Sequence, residues 1–213
     1  MDADNLKKAL RFYFITDDNA PELTPREQVE IAIQAGATII QYRNKSFALE
    51  AFEEVVAIRD LCRKNNLPCI INDNILLAKA VMADGVHLGQ EDENPVIARN
   101  ILGSEALIGI SVHSLAELNE TDLSHCNYIG TGPVFPTTTK ADTQQVRGLS
   151  NLAAVANKSP LPVVAIGGID SATAKFCFEH GACGVAVISS ITRAKNPFEE
   201  ARKLGEACGC LPP

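Results

Sequence analysis

The strongest constraint on the fold is an alternation. Short apolar runs, many of them β-branched, occur at Phe12–Thr16, Thr38–Gln41, Cys69–Ile71, Val86–Leu88, Leu107–Ser111, Tyr128–Thr131, Pro162–Ile166 and Val185–Ile188. Segments of helical period lie between them. Phe47, Ala51, Val55, Ile58, Leu61 and Cys62, for example, make one helical face up to Lys64. Local signals mark helix ends. Thr24-Pro25-Arg26-Glu27 supplies a cap, a proline at the first helical position and an acid in the first turn of a helix that stops at Gly36. Ser114 and Glu117 have capping-box spacing ahead of Leu118, and Gly181 closes a helix over Ser171–His180. Further helices are expected over Ile75–Val81, Pro95–Leu102, Leu149–Ala156 and Pro197–Cys208. Strands that alternate with helices form parallel sheets with right-handed crossovers. Eight units of about 27 residues predict the α/β class and a closed (β/α)8 TIM barrel, with an open doubly wound sheet as the competing arrangement. No linker or composition break interrupts residues 1–213, so a single barrel domain is expected.

Composition narrows the partners. With 46% hydrophobic and 21% charged residues the chain is not a disordered one. A net charge of −7 without Lys/Arg clusters argues against nucleic acid and anionic membranes, yet leaves room for a small phosphorylated ligand held by a few focused cations. The first residues lack the apolar core of a secretory signal, so none is expected, and no apolar stretch reaches membrane-spanning length. The cysteines number seven, with no CxxC pair, and the Cys208/Cys210 tail has no nearby His to complete a zinc set. Reduced thiols in a cytoplasmic protein are expected, with Cys69, Cys126 and Cys183 acting as small core residues. Oligomeric state is open, a homo-oligomer being compatible with the sequence.

In a barrel the catalytic groups follow the C-terminal ends of the strands. Those positions are unusually polar here. Gln41, Arg43 and Lys45 alternate at period two, so an extended segment points them the same way, where two cations and an amide can grip a phosphate or diphosphate. Asn72 and Asp73 follow the third strand and Asp92 the fourth. Two carboxylates facing cations suit Mg²⁺ shared with a diphosphate, although Asp73 could instead cap the next helix. Ser111 ends the fifth strand. The sixth is followed by Thr137, Thr138, Thr139 and Lys140, polar anchors on a segment to Gly148 with the character of a lid. Gly167-Gly168 and Ser189-Ser190 follow the last two strands, where barrels often bind phosphate. His87 and His113 read first as satisfied structural residues. No Ser-His-Asp or Cys-His set is readable, so nucleophilic catalysis is not expected.

The motifs QYRNK, IINDN with ADGVHLGQED, GISVHS, YIGTGPVFPTTTK, VVAIGGI and GVAVISSI, in this order over Gln41–Ile191, resemble the thiamin phosphate synthase family. The resemblance implies a (β/α)8 barrel that couples 4-amino-2-methyl-5-hydroxymethylpyrimidine diphosphate to a thiazole phosphate, or to its carboxylated precursor. The products are thiamin phosphate and pyrophosphate, formed by a dissociative, carbocation-like route. It places the pyrimidine diphosphate on Gln41, Arg43, Lys45, Asn72, Ser111 and Lys140, and Mg²⁺ on Asp73 and Asp92. The thiazole phosphate falls to Thr137, Thr138, Thr139, Gly168 and the Ile188-Ser189 backbone. Asn44 stands where the family more often has an acid. Alternatives are a thiazole tautomerase-like paralogue, disfavoured by Pro133 and the intact Gln41/Arg43/Lys45 run, a noncatalytic sensor of phosphorylated thiamin precursors, and an unrelated phosphate-binding barrel isomerase. The sequence leaves open the preferred thiazole form and any pairing with a pyrimidine kinase.

Overall fold

The computed structural model describes residues 2–137 and 145–211. Eight strands, β1 (Phe12–Ile15), β2 (Ile39–Tyr42), β3 (Cys69–Asn72), β4 (Gly85–Leu88), β5 (Leu107–Ser111), β6 (Tyr128–Thr131), β7 (Val163–Ile166) and β8 (Gly184–Val187), close into one barrel in sequence order. All pairings are parallel, and β1 pairs with β8 to complete the ring. The helices are α1 (Ala3–Ala9), α2 (Pro25–Gln34), α3 (Phe52–Lys64), α4 (Ile75–Ala80), α5 (Pro95–Leu102), α6 (Leu115–Glu120), α7 (Gly148–Lys158), α8 (Ala174–Glu179), α9 (Ser189–Thr192) and α10 (Pro197–Cys208). No helix among the described residues is long and apolar enough to cross a membrane.

Strand periodicity sorts the core into two shells. Outward residues such as Phe12, Phe14, Ile40, Ile71, Val86 and Ile129 pack under the helices. Inward residues, among them Tyr13, Ile15, Ile39, Ile70, Leu107, Tyr128, Val164 and Ala186, fill the barrel. Leu6 and Leu10 join that inner cluster, so α1 and the residue after it stopper the barrel end remote from the strand exits. Helix α1 is absent from the sequence-based expectation because only these two core residues mark it, too few to show a period.

The helix starts obey their local chemistry with three differences. Thr24 and Glu27 make the full reciprocal box at α2. At α6, Ser114 accepts from the Glu117 N–H (3.2 Å), but Glu117 turns back to the His113 N–H (2.7 Å). Regular α3 begins at Phe52, after a 3-10 turn over Leu49–Ala51 and a preceding turn in which the Ser46 N–H donates to Asn44 Oδ1. Helix α8 begins at Ala174 because Asp170 Oδ1 first closes a turn on the N–H groups of Ala172 and Thr173. All seven cysteines are free, five of them buried and Cys183 and Cys210 partly so. At the tail, Arg11 Nε donates to the Cys208 carbonyl (2.9 Å), which makes this segment a packing element.

Candidate active site

Seven of the expected residues converge. Gln41, Arg43, Lys45, Asn72, Asp73, Asp92 and Ser111 line one cavity of about 810 Å³ at the strand exits. A second cavity, about 490 Å³, is lined by Thr137, Gly168, Ile188 and Ser189 with Gly167, Pro133 and Ser190. The two share His113, Ile166, Ala186 and Ile188, so they adjoin across the barrel mouth. Thr138, Thr139 and Lys140 lie outside the described residues.

The cationic side is held from β1. The Arg43 N–H donates to Thr16 Oγ1 (2.8 Å), which itself donates to the Arg43 carbonyl (3.2 Å). Arg43 Nη1 lies 3.6 Å from Asp18 Oδ1, and the Lys45 N–H donates to Asp18 Oδ2 (3.0 Å). Asp18 therefore ties Arg43 and Lys45 together. It sits at the exit of β1, so the rule that polar strand exits build the site applies to it as well.

The carboxylate side is strained. Asp73 has φ +60°, a left-handed conformation uncommon for a residue with a side chain, and its N–H donates to the His87 carbonyl (2.8 Å). It does not cap α4. Asn74 does, accepting from the Leu77 N–H at 2.8 Å. Asp73 is thereby free to take Lys45 Nζ on Oδ2 (2.5 Å). Burial pushes the Asp73 carboxyl above its ordinary value; Lys45 opposes this, and the adjacent Asp92 carboxyl adds to it. Asp92 Oδ2 is in turn held by the Gly89 N–H (2.7 Å). Among the described residues no group of three or more His, Cys, Asp or Glu gathers to enclose an ion. Two mutually repelling carboxylates with open ligand positions nevertheless fit Mg²⁺, which takes one or two carboxylates and completes its shell with phosphate oxygens and water.

The smaller cavity suits a phosphate. Gly167 (φ +99°) and Gly168 (φ +65°) adopt left-handed conformations, and α9 begins at Ser189 directly after β8. Gly168 lies so close to the loop after β6 that a Cβ there would stand 2.4 Å from the Pro136 carbonyl oxygen. His113 Nδ1 is 2.8 Å from the Gly132 carbonyl oxygen, so that nitrogen carries a proton.

One pairing is not foreseen by the sequence reading. His87 Nε2 lies 3.1 Å from Ser111 Oγ. The other ring nitrogen meets the Tyr128 hydroxyl at 3.2 Å rather than a carboxylate. In these two contacts the imidazole lies between a phenol and an alcohol, not against the carboxylate that backs the base of a serine nucleophile. Tyr13 and Tyr128, which also line the larger cavity, are missed by sequence reasoning because inward aromatic residues look like ordinary core.

A model of the family described as thiamine monophosphate synthase matches residues 12–191. The chain is 40% identical over 196 residues to a thiamine-phosphate synthase of Chloroflexus aurantiacus, covering 91% of this chain and 90% of that one. It is 38% identical over 195 residues to the thiamine biosynthesis bifunctional protein ThiED of Geobacter sulfurreducens, covering 91% of this chain and 39% of that protein. The solved structure of a thiamine phosphate pyrophosphorylase from Pyrococcus furiosus superposes with a TM-score of 0.86 at 35% identity, covering 96% and 98% of the two chains.

Proposed function

The chain belongs to the thiamine monophosphate synthase family, and on that premise we propose that the larger cavity holds the pyrimidine diphosphate and the smaller one the thiazole phosphate. The enzyme is a transferase that forms thiamin phosphate. The observation that carries the substrate assignment is the convergence of Gln41, Arg43, Lys45, Asp73, Asp92 and Ser111 on one cavity that opens into the Gly168 and Ser189 cavity.

Arg43 and Lys45 meet the diphosphate, and Lys140 is assigned the same task by its place in the family motif. Their charges favour departure of pyrophosphate from the pyrimidine methylene, where positive charge builds as the bond breaks. Asp73 and Asp92 would hold Mg²⁺, which when bound supplies further positive charge for the leaving diphosphate. The thiazole phosphate falls to Thr137, Gly168 and the Ile188-Ser189 backbone, and Thr138 and Thr139 are assigned the same task by their place in the family motif. No protein nucleophile takes part. The apolar walls Val164, Ile166, Ala186 and Ile188 keep water from the electrophilic carbon. The protein is proposed to work in the cytoplasm on these small phosphorylated substrates.

The test is pyrophosphate release from the pyrimidine diphosphate with thiazole phosphate and Mg²⁺, thiamin phosphate being identified as product. Release that depends on the thiazole supports the reading. Substrate binding without turnover overturns it in favour of a sensor or a tautomerase-like protein.

A further inference from the structure

A continuous hydrogen-bonded chain crosses the floor of the larger cavity. Gln41 Nε2 donates to Tyr13 Oη at 2.8 Å, and the Tyr13 and Tyr128 hydroxyl oxygens are 2.8 Å apart. Tyr128 Oη lies 3.2 Å from His87 Nδ1, and His87 Nε2 lies 3.1 Å from Ser111 Oγ. All five residues line that cavity and come from five different strands. The two ends of the chain are residues assigned to the pyrimidine. The three middle members have no role in the chemistry described above.

Each phenol has one proton, so the direction of the chain follows from its first bond. Tyr13 accepts from the Gln41 amide and passes its own proton to Tyr128. Tyr128 donates to His87 Nδ1. His87 is then the neutral tautomer protonated on Nε2, and it donates to Ser111 Oγ. Two groups are left for the cavity: the Gln41 carbonyl oxygen, an acceptor, and the Ser111 hydroxyl proton, a donor. The reverse direction would need the Gln41 amide turned over and would exchange these two roles. Burial raises both phenols well above their ordinary ionisation range, so both keep the proton the chain requires.

The strand sequence makes room for this arrangement. His87, Gly109 and Tyr128 are in register on β4, β5 and β6, the glycine between the two rings. A Cβ on Gly109 would stand 2.2 Å from Tyr128 Cζ and 2.5 Å from His87 Nδ1. Gly109 does not adopt a positive φ, so the space itself is what a side chain there would remove.

We propose that Tyr13, Tyr128 and His87 are positioning residues that set the polarity of substrate recognition. They hold the Gln41 carbonyl and the Ser111 hydroxyl proton toward the exocyclic amino group and adjacent ring nitrogen of an aminopyrimidine. This rests on the synthase reading.

Tyr128→Phe removes one hydroxyl from the middle of the chain and keeps the ring. Expected are a rise of about tenfold in KM for the pyrimidine diphosphate, an unchanged KM for the thiazole phosphate and a modest loss of melting temperature, because the Tyr13 hydroxyl and His87 Nδ1 each lose a partner. Discrimination against the analogue with a keto oxygen in place of the amino group falls by about the same factor. In the unsubstituted protein, ¹⁵N NMR of labelled histidine, assigned with His87→Gln, shows the neutral Nε2-protonated form at pH 7. A parental KM and discrimination in Tyr128→Phe overturn the proposal, and so does a His87 protonated on Nδ1 or on both nitrogens. If Tyr128→Phe does not fold, the tautomer decides. If the parent protein makes no thiamin phosphate, the synthase reading falls, while the tautomer still judges the polarity of the chain.

Discussion

Replacing Gly168 by alanine tests whether the approach of β7 to the loop after β6 shapes the phosphate cavity. Two costs arise and can be separated. The first is conformational: at φ +65° a residue with a Cβ is strained by about 1–2 kcal/mol. The second is steric. The new methyl would meet the Pro136 carbonyl oxygen at 2.4 Å and the Phe135 carbonyl carbon at 2.8 Å, both backbone atoms. The loop cannot retreat freely, because the Val134 and Phe135 N–H groups donate to the carbonyls of Ile166 and Gly167 at 3.0 Å each. Overpacking of this kind costs about 1–3 kcal/mol more. Gly209→Ala is the control: its φ is +68°, and nothing lies within 4 Å of a Cβ there. At roughly 2–4 °C per kcal/mol for a chain of this size, Gly209→Ala lowers the melting temperature by roughly 2–8 °C and Gly168→Ala by roughly 4–20 °C. Pro133 and Thr137 flank the displaced segment and line the cavity, so Gly168→Ala also raises KM for thiazole phosphate by about tenfold or more. Gly209→Ala leaves it unchanged. Thermal denaturation and steady-state kinetics on the two variants decide the matter. Equal melting losses together with equal thiazole KM values would refute the steric argument.

Three other outcomes are expected. Asp92→Asn keeps an oxygen for the Gly89 N–H but removes the charge, so kcat/KM falls by about 100-fold or more while the melting temperature holds; chelation of divalent cations abolishes activity and added Mg²⁺ restores it. Asp17 is 2% exposed; burial works against its charge, but Arg193, the Asn19 N–H and Thr192 outweigh it and hold the carboxyl below its ordinary value. Its contribution is therefore complete above the unfolded pKa of about 3.9 and is lost as pH falls through the lower folded value, so the melting curves of parent and Asp17→Asn differ at pH 7 and converge as the carboxyl of the folded protein takes up its proton in acid. Burial pushes Cys126 and Cys183 up to about 11 and Cys177 and Cys208 up to about 12, so iodoacetamide at pH 8 leaves these four thiols of the folded protein unlabelled and modifies them in denaturant, as mass spectrometry will show.

The barrel is legible because its signal is redundant. Eight apolar runs, each between turn and cap chemistry, leave little choice of topology, and the observed strand ends fall within a residue or two of the expected ones. What the pattern misses has too few side chains to carry a period. Helix α1 shows only Leu6 and Leu10 to the core, and the start of α8 is set by one side chain, Asp170, rather than by any apolar face. The strand-exit rule likewise finds Gln41, Arg43, Lys45, Asp73 and Asp92, because charge at the end of a buried strand is conspicuous.

The floor of the cavity is illegible for a different reason. Tyr13 and Tyr128 obey the inward period, and in a linear sequence an inward tyrosine is one more large core residue. Their meaning depends on register. Gly109 pairs with His87 on one side and with Tyr128 on the other, and only that three-strand alignment brings the two rings to a centroid separation of 5.5 Å. Strand shear fixes the alignment, and no single strand encodes it. A glycine at an inward strand position is the one local sign: it weakens its own strand, so its presence points to neighbours that need the space. For Gly109 those neighbours are the aromatic and imidazole groups that tie Gln41 to Ser111.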